Sequence, residues 1–199
     1  MHTIILATRN PGKVKEIRSL LNDLPLDIKS LLQFPNLPEI IEKGQAFEEN
    51  ALKKARSIFT LTQVPTLSDD SGLEVFSLDK RPGVLSARYA GEHVSYEANN
   101  KKLLAELEGF FPDQRRAQFR CVAAFVDEGI EQLSEGTCPG MIIDEPRGSG
   151  GFGYDPIFMP EGYHMTFAEL PLEVKNQMSH RAKAFQLMKN LLRVHFNIS

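Results

Sequence analysis

Thr66-Leu67-Ser68-Asp69-Asp70-Ser71-Gly72-Leu73 sets two adjacent carboxylates between apolar residues, and its reading decides the fold. An apolar approach and a Ser-Gly exit describe a buried strand that delivers Asp69 and Asp70 into a glycine-permitted turn. Side chains alternate across a strand, so the two acids are expected on opposite sides. Acids at a strand end commonly solvate or cap a turn. The alternative is a Mg2+ ligand beside a bound phosphate. This stretch alone leaves both open.

Upstream, residues 3–7 (TIILA) form a β-branched run suited to a central strand. Thr8, Arg9, Asn10, Pro11, Gly12 and Lys13 follow. Val14, Ile17, Leu20, Leu21 and Leu24 then repeat at helical spacing. Asn10 suits the N-cap and Pro11 the first helical position. A strand, a polar turn and a helix N-terminus make an anion site, with outward backbone N–H groups and the charge of Lys13 one turn in. The turn is not a P-loop, which would need glycine at Ala7 and Ser or Thr at Val14.

Residues 26–32 read as a second strand and residues 33–43, with Pro35 and Pro38, as an irregular loop. Glu42 in that loop is an acid within reach of a metal, or simply an exposed one. A helix is expected over about residues 46–61, with Phe47, Ala51, Lys54 and Ile58 on neighbouring turns. Glu48 and Glu49 early and Lys53, Lys54 and Arg56 late suit its dipole and read as a solvated face. Residues 64–67 lead into the opening stretch, and 73–76 continue extended.

A helix over 95–108 is capped by Ser95 and ended by Gly109 and Pro112. Residues 115–126 and 130–137 read as a β-hairpin, and 141–143 as a further short strand. Residues 146–156 are the most glycine-dense part of the chain, where backbone can approach a ligand. Phe152 and Tyr154 there offer flat faces for a base. Residues 172–196 form the last helical region and include Lys175, His180 and Arg181. No second histidine stands at metal-ligand spacing from His180, so zinc hydrolase chemistry is unsupported.

Composition sets bounds on these readings. The 199 residues fit one large domain or two lobes sharing a sheet. Hydrophobic content of 42% and charged content of 25% are ordinary for a globular protein. A net charge of -3 argues against wholesale wrapping by nucleic acid while allowing a local basic pocket. Cys121 and Cys138 read as reduced thiols in a cytosolic protein. The N-terminal apolar run lacks a basic leader and is too short for a signal peptide or membrane span.

Four blocks, LATRNPGK, SDDSGLEV with PGVLSARYAG, GGFGYDPIF and SHRAKAF, stand in this order along nearly the whole chain. The set resembles the inosine triphosphate pyrophosphatase family, the XTP/dITP diphosphatases that remove non-standard purine nucleoside triphosphates. The resemblance implies an α/β fold: an elongated mixed sheet flanked by helices, in a single domain (1–199) of two lobes with a central active-site cleft. It implies a homodimer in the cytoplasm, Mg2+ dependence, and hydrolysis of the α–β phosphoanhydride to a nucleoside monophosphate and pyrophosphate.

By the same matching, Asp70 is the proton acceptor and a metal ligand, with Asp69 a partner beside it. Glu42 is the second metal ligand, with Glu39 as the alternative. Thr8, Arg9, Asn10, Pro11, Gly12 and Lys13 bind the triphosphate, with Lys53 facing the phosphates and Ser71 touching substrate. Phe152, Gly153, Tyr154 and Asp155 form the base pocket, and Lys175, His180 and Arg181 complete the substrate contacts. The competing class is a nucleotide-binding module that senses purine triphosphates without cleaving them. It would need no acid pair, which the retained Asp69-Asp70 disfavours.

Overall fold

The N-terminal β-branched run forms β1 (His2–Leu6). The computed structural model describes residues 2–38, 40 and 44–198. β1 pairs in parallel with β2 (Leu26–Ser30), Ile4 lying opposite Ile28. Its other edge pairs in parallel with β3 (Thr66–Val75), Leu6 lying opposite Leu67. Parallel neighbours need crossovers, and helices α1 (Pro11–Leu20) and α2 (Phe47–Thr62) lie in the two connections.

β3 is one ten-residue strand, and here the structure departs from expectation. The turn expected after Asp70 does not form, and Ser71 and Gly72 continue the strand. Asp69 and Asp70 are buried in mid-strand, where basic side chains from neighbouring helices pair with them. Acids paired internally need no turn to reach solvent.

The remaining strands are β4 (Arg116–Asp127), β5 (Ile130–Ile142) and β6 (Phe158–Pro160). The six strands run in the order β2-β1-β3-β4-β5-β6. With parallel pairs at β1 and an antiparallel β5–β6 pair, the sheet is mixed. β5 absorbs the short strand expected at 141–143, because Met141 and Ile142 pair onward with β6. Helix α3 (Tyr96–Glu106) is capped by the Ser95 side chain. The last helical region is two helices, α4 (Leu172–Met178) and α5 (His180–His195), separated at Ser179, whose backbone is extended. Among the described residues no helix is long and apolar enough to cross a membrane.

The chain forms two compact units. The first comprises Met1–Asp70, Cys121–Gly136 and His180–Ser199. Its core joins Ile4 and Leu6 of β1, Val14 and Ile17 of α1, Cys121 and Phe125 of β4, and Phe185 and Met188 of α5. The second comprises Ser71–Arg120 and Thr137–Ser179. Its core joins Leu73 and Val75 of β3, Leu103 and Leu107, Phe119, Phe158 and Phe167. The opposite face of β1 is apolar as well, Ile5 joining Leu31 and Ile58 in a further cluster.

Candidate active site

In the first unit the phosphate-type turn is built largely by its own side chains. Asn10 caps α1, its Oδ1 accepting from the N–H groups of Gly12 at 2.9 Å and Lys13 at 3.2 Å. The Asn10 N–H in turn donates to Thr8 Oγ1 at 3.2 Å. Two of the amides expected to point outward are therefore held by Asn10, because an N-cap carboxamide takes the same donors that an anion would.

Lys13, one turn into α1, places its ammonium 3.0 Å from Asp69 Oδ2. The same carboxylate oxygen accepts from Arg181 Nη2 at 3.2 Å and Nε at 3.3 Å. Arg181 is 2% exposed, and its Nη1 lies 2.5 Å from Glu16 Oε2 on α1. Burial alone would push the Asp69 carboxyl up. Lys13, Arg181 and Lys54 outweigh that and hold it well below the usual carboxylate range. Burial would likewise lower the Arg181 value, but Asp69 and Glu16 raise it, so the guanidinium stays charged. Cys121, 3.9 Å from Asp69 Oδ2, is pushed up by burial and then by that carboxylate, and it is a neutral thiol.

Asp70 meets a different set of partners, on α2. Asn50 Nδ2 donates to Asp70 Oδ2 at 3.0 Å, and Lys54 Nζ lies 3.3 Å from Oδ1. Asn50 and Lys54 are one helical turn apart and so share a face. The Ser68 hydroxyl donates to Ala51 O at 2.6 Å, fastening β3 to the same helix. Asn50 Oδ1 accepts from the Gly44 N–H at 2.8 Å, which fixes the carboxamide orientation. The pair is thus divided as strand alternation requires: Asp69 toward α1 and α5, Asp70 toward α2.

Asp70 is a carboxylate whose two oxygens are acceptors and which lies among donors from α2. That suits proton acceptance or cation ligation. Among the described residues no three His, Cys, Asp or Glu side chains gather closely enough to enclose a metal. Mg2+ does not need such a cage, because it takes one or two carboxylates and completes its shell with phosphate oxygens and water. Asp70 fits that role. Glu42 and Glu39, the loop acids expected to join it, lie outside the described residues.

In the second unit the glycine-rich stretch folds around Asp155. Asp155 Oδ2 accepts from the Phe152 N–H at 2.9 Å and lies 2.5 Å from Lys175 Nζ, both ends of the ion pair being buried. The Lys175 ammonium also sits 5.3 Å from the Phe152 ring centre and 5.1 Å from that of Phe167. Gly151 has φ +70, and a Cβ there would overlap the Asp155 carboxylate, so the turn requires glycine twice over. Asn100 Nδ2 donates to Gly153 O at 3.2 Å.

The Ham1 family model matches residues 4–191. The chain belongs to the Ham1 family. It is 51% identical over 193 residues to the dITP/XTP pyrophosphatase of Geobacter sulfurreducens, covering 96% of this chain and 97% of that one. It is 46% identical to the dITP/XTP pyrophosphatase of Bacillus subtilis, covering 96% and 98%. Among solved structures it resembles the Coxiella burnetii Ham1 protein at a TM-score of 0.87 and 39% identity, covering 96% and 98%. It also resembles the Staphylococcus aureus Ham1 protein at a TM-score of 0.85 and 38% identity, covering 97% and 99%.

The other residues expected at the site of this Ham1-family chain differ in burial and in partners. Lys53 is exposed, whereas Lys54 is buried against Asp70. Successive helical residues are turned about 100° apart, so only one of the two lysines can face β3. Tyr154 is buried in the core of its unit and its hydroxyl donates to Ser86 O at 2.9 Å, so Phe152 is the more accessible ring of the two. Arg9 donates to three backbone carbonyls of residues 31–37. Arg181 and His180 are buried at the start of α5, and Arg181 is engaged by carboxylates. Pro11 is exposed at the first turn of α1, and Ser71 is half-buried in β3.

Three residues escaped the sequence reading: Asn50, Lys54 as the partner of Asp70, and Glu16. Lys54 carried a signal, since it falls on the stripe of Phe47, Ala51 and Ile58. A lysine on an apolar stripe has to find a counter-charge. Glu16 carried a similar one, lying three residues after Lys13 and beside buried Ile17 on α1.

Proposed function

We propose that this Ham1-family chain is a nucleoside triphosphate diphosphatase that cleaves the α–β phosphoanhydride of dITP, ITP and XTP, releasing the monophosphate and pyrophosphate. The observation that carries the reading is the buried Asp70 carboxylate, held by Asn50 and Lys54 and adjacent in β3 to the Asp69–Lys13 pair. The names of the dITP/XTP pyrophosphatases that the chain resembles support the substrate class. Because the family model spans both units, they are taken as parts of one catalytic domain.

In this reading Asp70 accepts the proton of a water whose oxygen attacks the α-phosphorus. The bond from that phosphorus to the bridging oxygen breaks, and its electron pair leaves with pyrophosphate. Lys54 pairs with Asp70 and holds it in place beforehand, and Asn50 fixes the plane of its carboxylate. Lys13 and the N-terminal turn of α1 hold phosphate oxygens and stabilise the charge that builds on the leaving group. Asp69 holds the Lys13 ammonium in place. Mg2+ is assigned to Asp70 together with Glu42 or Glu39, and when bound it supplies charge neutralisation and a more acidic water.

The base is assigned to Phe152, Gly153 and the Lys175–Asp155 pair, with the Phe152 ring as the stacking surface. A 6-keto base offers an acceptor where adenine offers a donor, so a fixed donor in this pocket discriminates between them. The protein is read as a cytoplasmic homodimer acting on free nucleotides, with no nucleic-acid or membrane partner.

The deciding experiment incubates purified protein and Mg2+ with dITP, ITP or XTP and measures pyrophosphate. Release of pyrophosphate with the matching monophosphate is expected, and chelation of the metal should abolish it. Folded protein that binds these nucleotides but releases no pyrophosphate would overturn the reading in favour of a sensor.

A further inference from the structure

We propose that Arg9 is a positioning residue for the phosphate turn, its guanidinium latching residues 8–13 to the carbonyls of Leu31, Phe34 and Leu37. The inference rests on the reading that this turn binds the triphosphate. Arg9 Nη1 donates to Leu31 O at 2.9 Å, and Nη2 donates to Phe34 O at 3.3 Å and Leu37 O at 2.7 Å. Three of the five N–H groups of the guanidinium are thereby committed to backbone. A cation spent this way is a strut more than a phosphate ligand.

Residues 31–37 do not need Arg9 in order to pack. Leu31 belongs to an apolar cluster with Ile5, Ala7 and Ile58, and Phe34 and Leu37 pack against it. Leu31 O also accepts from the Phe34 N–H at 3.1 Å, and Phe34 O from the Leu37 N–H at 3.2 Å. The segment is therefore anchored by apolar contacts and local hydrogen bonds, and the latch works in the opposite direction. It fixes the backbone of Arg9, which stands between Thr8 and Asn10. Those two side chains set the turn, because Thr8 Oγ1 accepts from the Asn10 N–H and Asn10 Oδ1 caps Gly12 and Lys13. A shift at Arg9 displaces both, and with them the start of α1 and the Lys13 ammonium.

The planar fork of arginine is what allows one side chain to reach three carbonyls in different directions. A lysine ammonium carries the same charge on a single nitrogen and cannot reproduce that spread. The structure therefore separates charge from geometry, and the test can do the same.

Arg9→Ala, Arg9→Lys and Lys13→Ala are made in the full chain. KM and kcat for dITP, inhibition by inorganic triphosphate and the thermal midpoint are measured for each. Arg9→Ala is expected to raise KM and the triphosphate inhibition constant together, by about tenfold, the equivalent of one hydrogen bond to a charged group. The loss falls on KM and not on kcat, with little change in midpoint, and Arg9→Lys does not restore it. Unchanged KM and inhibition in Arg9→Ala, with both raised in Lys13→Ala, would overturn the latch and leave the phosphate turn standing. Full recovery in Arg9→Lys would make charge the cause and also overturn it. If Lys13→Ala leaves triphosphate inhibition unchanged, the assignment of the turn to phosphate fails and the latch fails with it.

Discussion

Lys54 Nζ lies 3.3 Å from Asp70 Oδ1, whereas Lys53, the residue before it on α2, is exposed. The two lysines therefore make a controlled comparison. Lys54→Ala removes the lysine from a buried carboxylate that Asn50 also holds. Breaking one side of a buried pair costs about 3–5 kcal/mol and favours protonation of the acid left behind. Turnover of dITP is expected to fall about a hundredfold or more, with a lowered thermal midpoint. Lys53→Ala is expected to change stability by less than about 0.5 kcal/mol, as exposed substitutions do. Equal losses in the two variants, read by pyrophosphate release, would remove Lys54 from its assigned role.

Asp70→Asn keeps the volume of the side chain and one of its two acceptor atoms but removes the proton acceptor. Lys54 then loses the Asp70 charge but keeps its attraction to Asp69, so the expected stability change is a modest loss rather than unfolding. Pyrophosphate release is expected to fall by about 10²–10⁴-fold, the usual worth of a positioned base. Binding of dITP, followed by calorimetry, should survive. Wild-type turnover in a variant whose circular dichroism is unchanged would exclude Asp70 as the base.

Asp69 predicts a pH dependence of stability. Its carboxyl is depressed below the ordinary value of 3.8 in the folded protein, burial being outweighed by Lys13, Arg181 and Lys54. In the window below that ordinary value the unfolded chain binds the extra proton. The stabilisation is therefore complete above it and drains away as pH falls through the depressed value. Urea unfolding of wild type and Asp69→Asn should differ most at about pH 5 and above, and the gap should narrow steadily below about pH 4. A gap that stays constant from pH 6 to about pH 2 would show that Asp69 stabilises through shape and not charge.

How much of this was legible in the sequence depends on the length scale of the cause. β1, α1 and α2 were readable because Ile4, Val14, Ile17 and Phe47 follow local periodicity, and their cores obey it. Asp69 and Asp70 were readable as a divided pair because strand alternation is local too. The turn after Asp70 was misread because a Ser-Gly pair permits a turn but does not compel one. β3 lies between β1 and β4, strands far away in sequence that local reading does not supply. The ion pairs of Asp69 with Arg181, 112 residues apart, and of Glu16 with Arg181, 165 apart, have no local signature at all. Lys54 is the intermediate case: its place on the stripe was visible, but its partner on β3 was not. The burial of Tyr154 was not legible for a related reason, since glycines around an aromatic do not say which ring turns inward.

Glu16 and Lys13 stand three residues apart on α1 and meet the same pair, Arg181 and Asp69. Glu16→Gln keeps an acceptor for Arg181 Nη1 but removes its charge. Arg181 then loses the Glu16 charge and draws on the Asp69 carboxylate more strongly, in competition with Lys13. The expected result is a lower kcat/KM for dITP without loss of fold, and the informative quantity is the coupling. If Glu16 acts through Asp69 on Lys13, then Glu16→Gln should cost much less in a Lys13→Ala background than in wild type. A coupling of about 0.5–3 kcal/mol in kcat/KM is expected for groups in one network. Glu16→Asp, which restores the charge one methylene further back, should recover part of the loss. Strict additivity of Glu16→Gln and Lys13→Ala, with both proteins folded, would confine Glu16 to packing and leave Asp69 to hold Lys13 without its help.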